Sequence, residues 1–244
     1  SVLLNLYWLM YIFNLAILAL VIYMGEDTNG AQRWVTIAGI RFQPSELAKI
    51  LIILFLAQYI YKHKDRFNTF KCISMCCILF VIPAALVLAQ PDLSTTIVIC
   101  LIFAVIMFTA GVRWRVIIGF LAVAIPSLMI FLYLVLQPEQ KIINQYQANR
   151  IVAFFNKEEY ANSIGYQQEY SVMAIGSGQL TGKGYKNNEI SSVKNADFIA
   201  EPQTDFIFAV IGEEFGFVGA CVVIVLIMLI SVECLLIARR AKDI

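Results

Sequence analysis

Six blocks of about 20 consecutive apolar residues dominate this sequence, near 3–24, 44–61, 72–90, 93–110, 115–136 and 206–238. A bilayer core of ~30 Å is crossed by about 20 helical residues, so each block has the length of a membrane span. Inside hydrocarbon every backbone N–H and C=O must be satisfied within the segment, and for isolated apolar blocks the solution is a helix. Hydrophobic residues make up 60% of the 244 and charged residues only 14%. Soluble domains carry roughly 45–50% and about 25%. The expected fold is an all-α polytopic membrane protein, one membrane domain over 1–244, and a soluble enzyme is excluded. A net charge of +1 offers no bulk electrostatic case for nucleic acid.

The connections alternate in charge. "YKHKDRFNTFK" (61–71) sets four Lys/Arg and His63 against one Asp, "GVRWR" (111–115) has two arginines, and the terminal "ARRAKDI" has three bases. Between them, "GEDTNGAQRWVTIAGIRFQ" (25–43) balances two acids with two arginines, and "QPD" (90–92) has no base. The positive-inside rule then places the basic connections in the cytoplasm. The long connection 137–205 is expected outside. A loop of that length usually has a task, and short helices lying at the membrane face are expected over 144–156 and 166–176.

All six cysteines lie in apolar blocks and read as packing residues, with an intramembrane disulfide as the minor alternative. One histidine and no CxxC leave no zinc signature, and no cofactor is called for. The block from Leu3 to Met24 is too long for a signal peptide and lacks a cleavage pattern. It reads as a span, with further sequence expected upstream of Ser1.

Four constellations carry chemistry. In "GAQRWVTIAGIRFQPSELAK" (30–49), Pro44 suits the first turn of a helix, and Glu46 and Lys49 stand three apart on one face. That pair is either a neutralised bridge or part of a polar cavity. Arg33 beside Trp34 reads as an interfacial anchor or as the holder of a lipid phosphate. In "AQPDLSTTIV" (89–98), Asp92 reads first as a helix cap. "AIGSGQLTGKGY" (174–185) fails as a phosphate loop, because Gly184 rather than Ser or Thr follows Lys183. It is expected to be a flexible loop presenting Lys183 on the outer face. In "AEPQTDFIFAVIGEEFGFVGA" (200–220), Thr204 or Asp205 would cap the last span, yet capping does not explain Glu201. A rim carboxylate is a suitable general base. Gly212, Gly216 and Gly219 read as a small-residue ridge, with Glu213 and Glu214 turned into the bundle in a structural role.

"GAQRW…QPSELAK", "QPDLSTT", "AIGSGQLTGKG" and "TDFIFAVIGEEFGFVG" occur in an order that resembles the shape, elongation, division and sporulation family, RodA/FtsW/SpoVE. The resemblance covers essentially the whole chain and implies a ten-span bacterial inner-membrane enzyme that polymerises peptidoglycan from lipid II. The six spans would match the family's third to eighth, with two missing at each end. The family's catalytic aspartate falls on Asp205, supported by Glu201. Its "PE" falls on Ala200–Glu201, with proline displaced to Pro202. Its glutamate and lysine of the "QPSE..K" motif fall on Glu46 and Lys49. The elongation (RodA) branch is the nearer one.

The implied reaction is attack of a sugar 4-hydroxyl, deprotonated by Asp205, on C1 of a lipid-diphosphate donor. Arg33, Lys49 and Lys183 would neutralise the leaving diphosphate, in that order. A class B penicillin-binding transpeptidase is the implied protein partner, with lipid II and membrane lipids the other contacts. The rivals are a lipid II flippase, motivated by the Glu46/Lys49 charges in the span, and a non-catalytic scaffold for the transpeptidase.

Overall fold

In a computed structural model, residues 6–28, 31–37, 39–137, 148, 151–152, 166–185 and 204–240 are described. The chain falls into two compact units, Ser1–Ala148 and Asn149–Ile244.

The first unit begins with α1 (Tyr7–Met24), ended by Gly25. A three-stranded antiparallel sheet follows, β1 (Glu26–Thr28), β2 (Ala31–Ile37) and β3 (Ile40–Phe42), in the order β1-β2-β3. Val35 pairs with Phe42 and Thr36 with Arg41, and Gly39 turns the chain at φ 83°. Next come α2 (Pro44–Lys62), a 3-10 turn (Lys64–Arg66), α3 (Phe70–Ala89), α4 (Leu93–Thr109) and α5 (Trp114–Val135). Pro44 occupies the first turn of α2 with Glu46 beside it, as a helix start requires, and Lys62 sits in the last turn.

The core of this unit is an aromatic seam between α1 and α2. Tyr7 and Tyr11, four apart, meet Phe55 and Tyr59, also four apart, and the Tyr11 and Phe55 rings stack at 4.4 Å. Leu18, Ile52, Cys76, Val87 and Ile99 fill the remaining interior. The Tyr11 hydroxyl donates to the Leu79 carbonyl at 3.0 Å. Pro83 lies four residues after Leu79 inside α3 and has no N–H to give that carbonyl, so the tyrosine supplies the missing donor. Tyr11→Phe is therefore expected to cost about 1–3 kcal/mol by stranding a buried carbonyl. A lowered unfolding midpoint in detergent, with helix content unchanged, is the check.

Connections meet at the unit's two ends as the charge alternation predicts. Asn68 accepts from the Arg113 N–H at 3.0 Å and donates to the Gly111 carbonyl at 3.2 Å, so the two basic connections share an end. Gln43 donates to Asp92 at 3.1 Å, joining 25–43 to 90–92.

The second unit contains α6 (Tyr166–Ser177), a glycine-rich turn over residues 178–185, and α7 (Ile207–Arg240). The helix expected over 166–176 is α6. Of the one expected over 144–156, only 148 and 151–152 are described.

The protein is a predominantly helical polytopic membrane protein. Among the described helices α1, α2, α3, α5 and α7 are long and apolar enough to cross a bilayer. The sixth expected span, α4, is shorter at 17 residues, starting after the Asp92 cap and ending before Gly111 at φ 77°. Apolar side chains stand exposed along α5, which buries only Val135, and along the second half of α7, the surface lipid would cover. Two expectations change. Residues 25–43, read only as a connection, hold the sheet. The last span is not one continuous rod, because Gly216 (φ 63°, ψ −163°) breaks α7.

Candidate active site

The first group of candidate residues gathers around Asp92, which is 1% exposed. It is the N-cap of α4: its carboxylate accepts from the Thr95 N–H at 3.2 Å and the Thr95 hydroxyl at 2.8 Å. The side chain does more than cap. Gln43, at the entry to α2, donates to Oδ2, which also accepts from the Thr95 hydroxyl, and Arg33 of β2 places Nη1 3.7 Å from Oδ1. One buried carboxylate thus ties the sheet to two helix N-termini. The two readings of Arg33, interfacial anchor or lipid-phosphate holder, both left it without a protein partner; the structure pairs it with Asp92. Its Nε and the hydroxyl of fully buried Ser45 have no hydrogen-bond partner among the described residues. The guanidinium therefore has donor capacity beyond the Asp92 pair.

Glu46 and Lys49 form the bridge their spacing allows, with Lys49 Nζ donating to Glu46 Oε1 at 2.8 Å. Glu46 remains more than half exposed and Lys49 about a quarter. The carboxylate at the positive end of α2 is stabilised there by the helix dipole.

The second group lies in the second unit. Asp205 is exposed in the turn just before α7, beside partly buried Phe206. Glu201 lies outside the described residues. Glu213 and Glu214 are buried, as their place in the span implies. Lys183 does not stand free on a flexible loop: its Nζ donates to Glu213 Oε1 at 2.7 Å, against a carboxylate 3% exposed.

The glycine-rich turn and the break in α7 interlock. In an unbroken helix the N–H groups of residues 217 and 218 would bond the carbonyls of 213 and 214. The break at Gly216 parts them. The N–H groups of Lys183 and Gly184 instead donate to the carbonyls of Glu213 and Glu214, at 2.9 and 3.0 Å. Those of Phe217 and Val218 donate to the carbonyls of Gln179 and Leu180, at 2.8 and 3.2 Å. These four groups are satisfied by one loop, as a low-dielectric setting demands. The approach is close enough to require glycine. A Cβ on Gly178 would overlap the Gly212 carbonyl, one on Gly182 the Glu214 backbone, and one on Gly216 the backbone of Leu180 and Gly182.

The expected glycine ridge is thereby corrected. Gly212 does face α6, at Ile175, but Gly216 is a break that receives a loop, and a Cβ on Gly219 would overlap Phe215 on the other side of that break. Gly182→Ala, at φ 80° and against backbone, is expected to cost at least about 2 kcal/mol. Gly119→Ala in α5, where an added methyl meets nothing within 4 Å, is expected to be neutral or stabilising. Thermal unfolding of the two variants in one detergent checks the contrast.

The family model described as cell cycle protein, FtsW/RodA/SpoVE, matches residues 1–244. The chain belongs to the FtsW/RodA/SpoVE family. It is 35% identical over 240 residues to the peptidoglycan glycosyltransferase MrdB of Escherichia coli K12, covering 96% of this chain and 61% of that protein. It is 32% identical over 232 residues to the probable peptidoglycan glycosyltransferase FtsW of Haemophilus influenzae, covering 95% and 56%. Among solved structures, a chain from a study of polymerization and crosslinking by a peptidoglycan synthase complex superposes with a TM-score of 0.68 at 26% identity. That match covers 97% of this chain and 60% of the other. This FtsW/RodA/SpoVE chain thus spans about three fifths of the length of the curated relatives it matches.

Of the family-motif residues, Arg33, Glu46 and Lys49 lie in the first unit, and Lys183 and Asp205 in the second. Sequence reasoning missed two features of this family member. One is the convergence of Arg33 and Gln43 on Asp92. The other is the mutual satisfaction of "GSGQLTGKG" and "GEEFG", for which the only sequence signal was glycine at 178, 182, 184 and 216.

Proposed function

We propose that this chain carries the catalytic region of a peptidoglycan glycosyltransferase, polymerising lipid II at the outer face of the bacterial inner membrane in cell-shape maintenance or division. The observation that carries the reading is the contrast within one motif. Asp205 is exposed at the head of α7, whereas Glu213 and Glu214 are buried and Glu213 is held by Lys183. An accessible carboxylate at the rim of a membrane helix is the one suited to take a proton from an incoming sugar hydroxyl.

The reaction forms a bond from the acceptor 4-oxygen to C1 of the donor sugar and breaks the bond from C1 to the undecaprenyl diphosphate oxygen. Asp205 takes the hydroxyl proton, and the diphosphate leaves with the bonding pair. Such a leaving group needs cationic stabilisation rather than a general acid, which distinguishes the reaction from hydrolysis of an ordinary glycoside. Arg33 is the first candidate for that role, with donors left over from the Asp92 pair, and Lys49 the second. Glu201, four residues upstream, is the proposed support for Asp205. A class B penicillin-binding transpeptidase is the proposed partner; the similar solved chain comes from a study of a synthase complex coordinating polymerization with crosslinking. The connections 61–71 and 111–115 would face the cytoplasm.

The test is product analysis with purified lipid II and the intact protein that contains this sequence. Glycan chains whose formation requires Asp205 support the reading. In vesicles holding labelled lipid II, translocation without glycan product would replace it with transport. Full complementation by an Asp205→Ala protein would replace it with a scaffold.

A further inference from the structure

The opening turn of α7 is a short stub, residues 207–215, cut off from the rest of the helix by the break at Gly216. Asp205 stands two residues ahead of this stub, whose middle packs at Gly212 on Ile175 of α6 and whose two ends are held as well. At the Asp205 end, Ala209 is buried against Ala174 of α6, with Tyr170 and Phe206 packed around them. At the far end, the loop of residues 178–184 supplies the four backbone hydrogen bonds across the break. Tyr185, at the end of the turn, meets Phe215 of the stub with ring centroids 6.0 Å apart, but both rings are exposed and no apolar side chain of the loop is buried on the stub. Gln179 is held at positive φ, and Gly178, Gly182 and Gly184 lose more backbone freedom on ordering than other residues would, so the loop is costly to hold. The buried side-chain contact that fastens it is the Lys183–Glu213 ion pair, 2.7 Å long.

We propose that Lys183 and Glu213 are a positioning pair for Asp205: together they lock the glycine-rich loop onto the helix break and so fix the stub that presents the carboxylate. The proposal rests on the reading of Asp205 as the general base. It also moves Lys183 away from the leaving diphosphate, because its charge is matched by Glu213. Removing either partner takes this largely buried ion pair from the other. The loop then relaxes, and with it the four bonds that hold one end of the stub. A displacement of about 1 Å at a reacting group costs on the order of 10²-fold in rate.

The experiment uses the intact protein with Lys183→Glu, Glu213→Lys and the reversed pair combined, and Asp205→Asn as a parallel control. Lipid II polymerisation is measured per folded molecule. Each single reversal is expected to lower kcat about 10- to 100-fold with KM for lipid II within about twofold, and the double reversal to recover at least a third of the lost activity. Amide exchange at Lys183, Gly184, Phe217 and Val218 is expected to quicken in the singles and return to parental rates in the double. If Lys183 instead grips the diphosphate, Lys183→Glu raises KM and the double reversal stays inactive, and the positioning role is overturned. Unchanged exchange in the single variants overturns it as well. Should a reversed single fail to fold, Lys183→Gln and Glu213→Gln carry the same comparison: recovery in the amide pair supports the proposal, and its absence overturns it. Polymerisation surviving in Asp205→Asn sinks the catalytic reading alone, since exchange reports the lock whether or not glycan forms.

Discussion

Asp205→Asn is expected to abolish lipid II polymerisation, with a rate loss of at least about 10²-fold, while the protein folds as before. The physical case has two halves. Asn matches Asp in shape but cannot accept a proton at neutral pH, so the whole contribution of a general base, on the order of 10²–10⁴-fold, is at stake. Asp205 is exposed and pairs with no charged group among the described residues, and substitutions at such positions usually move stability by less than about 0.5 kcal/mol. Gel analysis of glycan products, alongside unfolding midpoints of parent and variant, separates the two halves. Normal glycan ladders from the Asn variant would remove Asp205 from the chemistry.

The second large effect is at Asp92. Asp92→Ala is expected to destabilise the first unit by about 3–5 kcal/mol, enough to prevent accumulation of a marginally stable protein. The substitution removes the cap of α4, the acceptor for Gln43 and the counter-charge of Arg33 together. The last loss is the costly one, because Arg33 keeps a partly buried charge with no partner. Asp92→Asn retains an acceptor for the Thr95 N–H and should be milder. Arg33→Gln added to Asp92→Asn should cost less than the sum of the two singles, and that shortfall measures the ion pair. Additive effects of the two changes would show that the 3.7 Å pair contributes nothing.

These predictions divide along the line between what a sequence displays and what it conceals. The spans were legible because hydrocarbon tolerates only one arrangement of a long apolar segment, with its backbone bonds closed internally. The Glu46–Lys49 bridge was legible because i,i+3 neighbours share a helix face whatever surrounds them. Asp92 as a cap was legible for the same local reason. Its second role was not, since Arg33 and Gln43 reach it from 59 and 49 positions away in sequence, by way of a sheet in a segment that read only as a connection.

The glycines show the same limit more sharply. Gly212, Gly216 and Gly219 at near-helical spacing look like a packing ridge, and at Gly212 that is what the structure contains. At Gly216 it contains a break instead. Which outcome a helical glycine adopts depends on whether another segment can satisfy the backbone groups a break releases. Here that segment is "QLTGKG", more than thirty residues earlier.

The sequence by itself determined the membrane-spanning architecture and the family, because these follow from composition, local spacing and motif order. Only the tertiary structure decided that Arg33 belongs to Asp92, that Lys183 belongs to Glu213, and that the last span is broken and repaired by a loop. Each of these is a pairing across long sequence separation. In a low-dielectric interior the partner of a charge or an orphaned carbonyl is set by what folding brings within about 3 Å of it, and no local pattern records that distance.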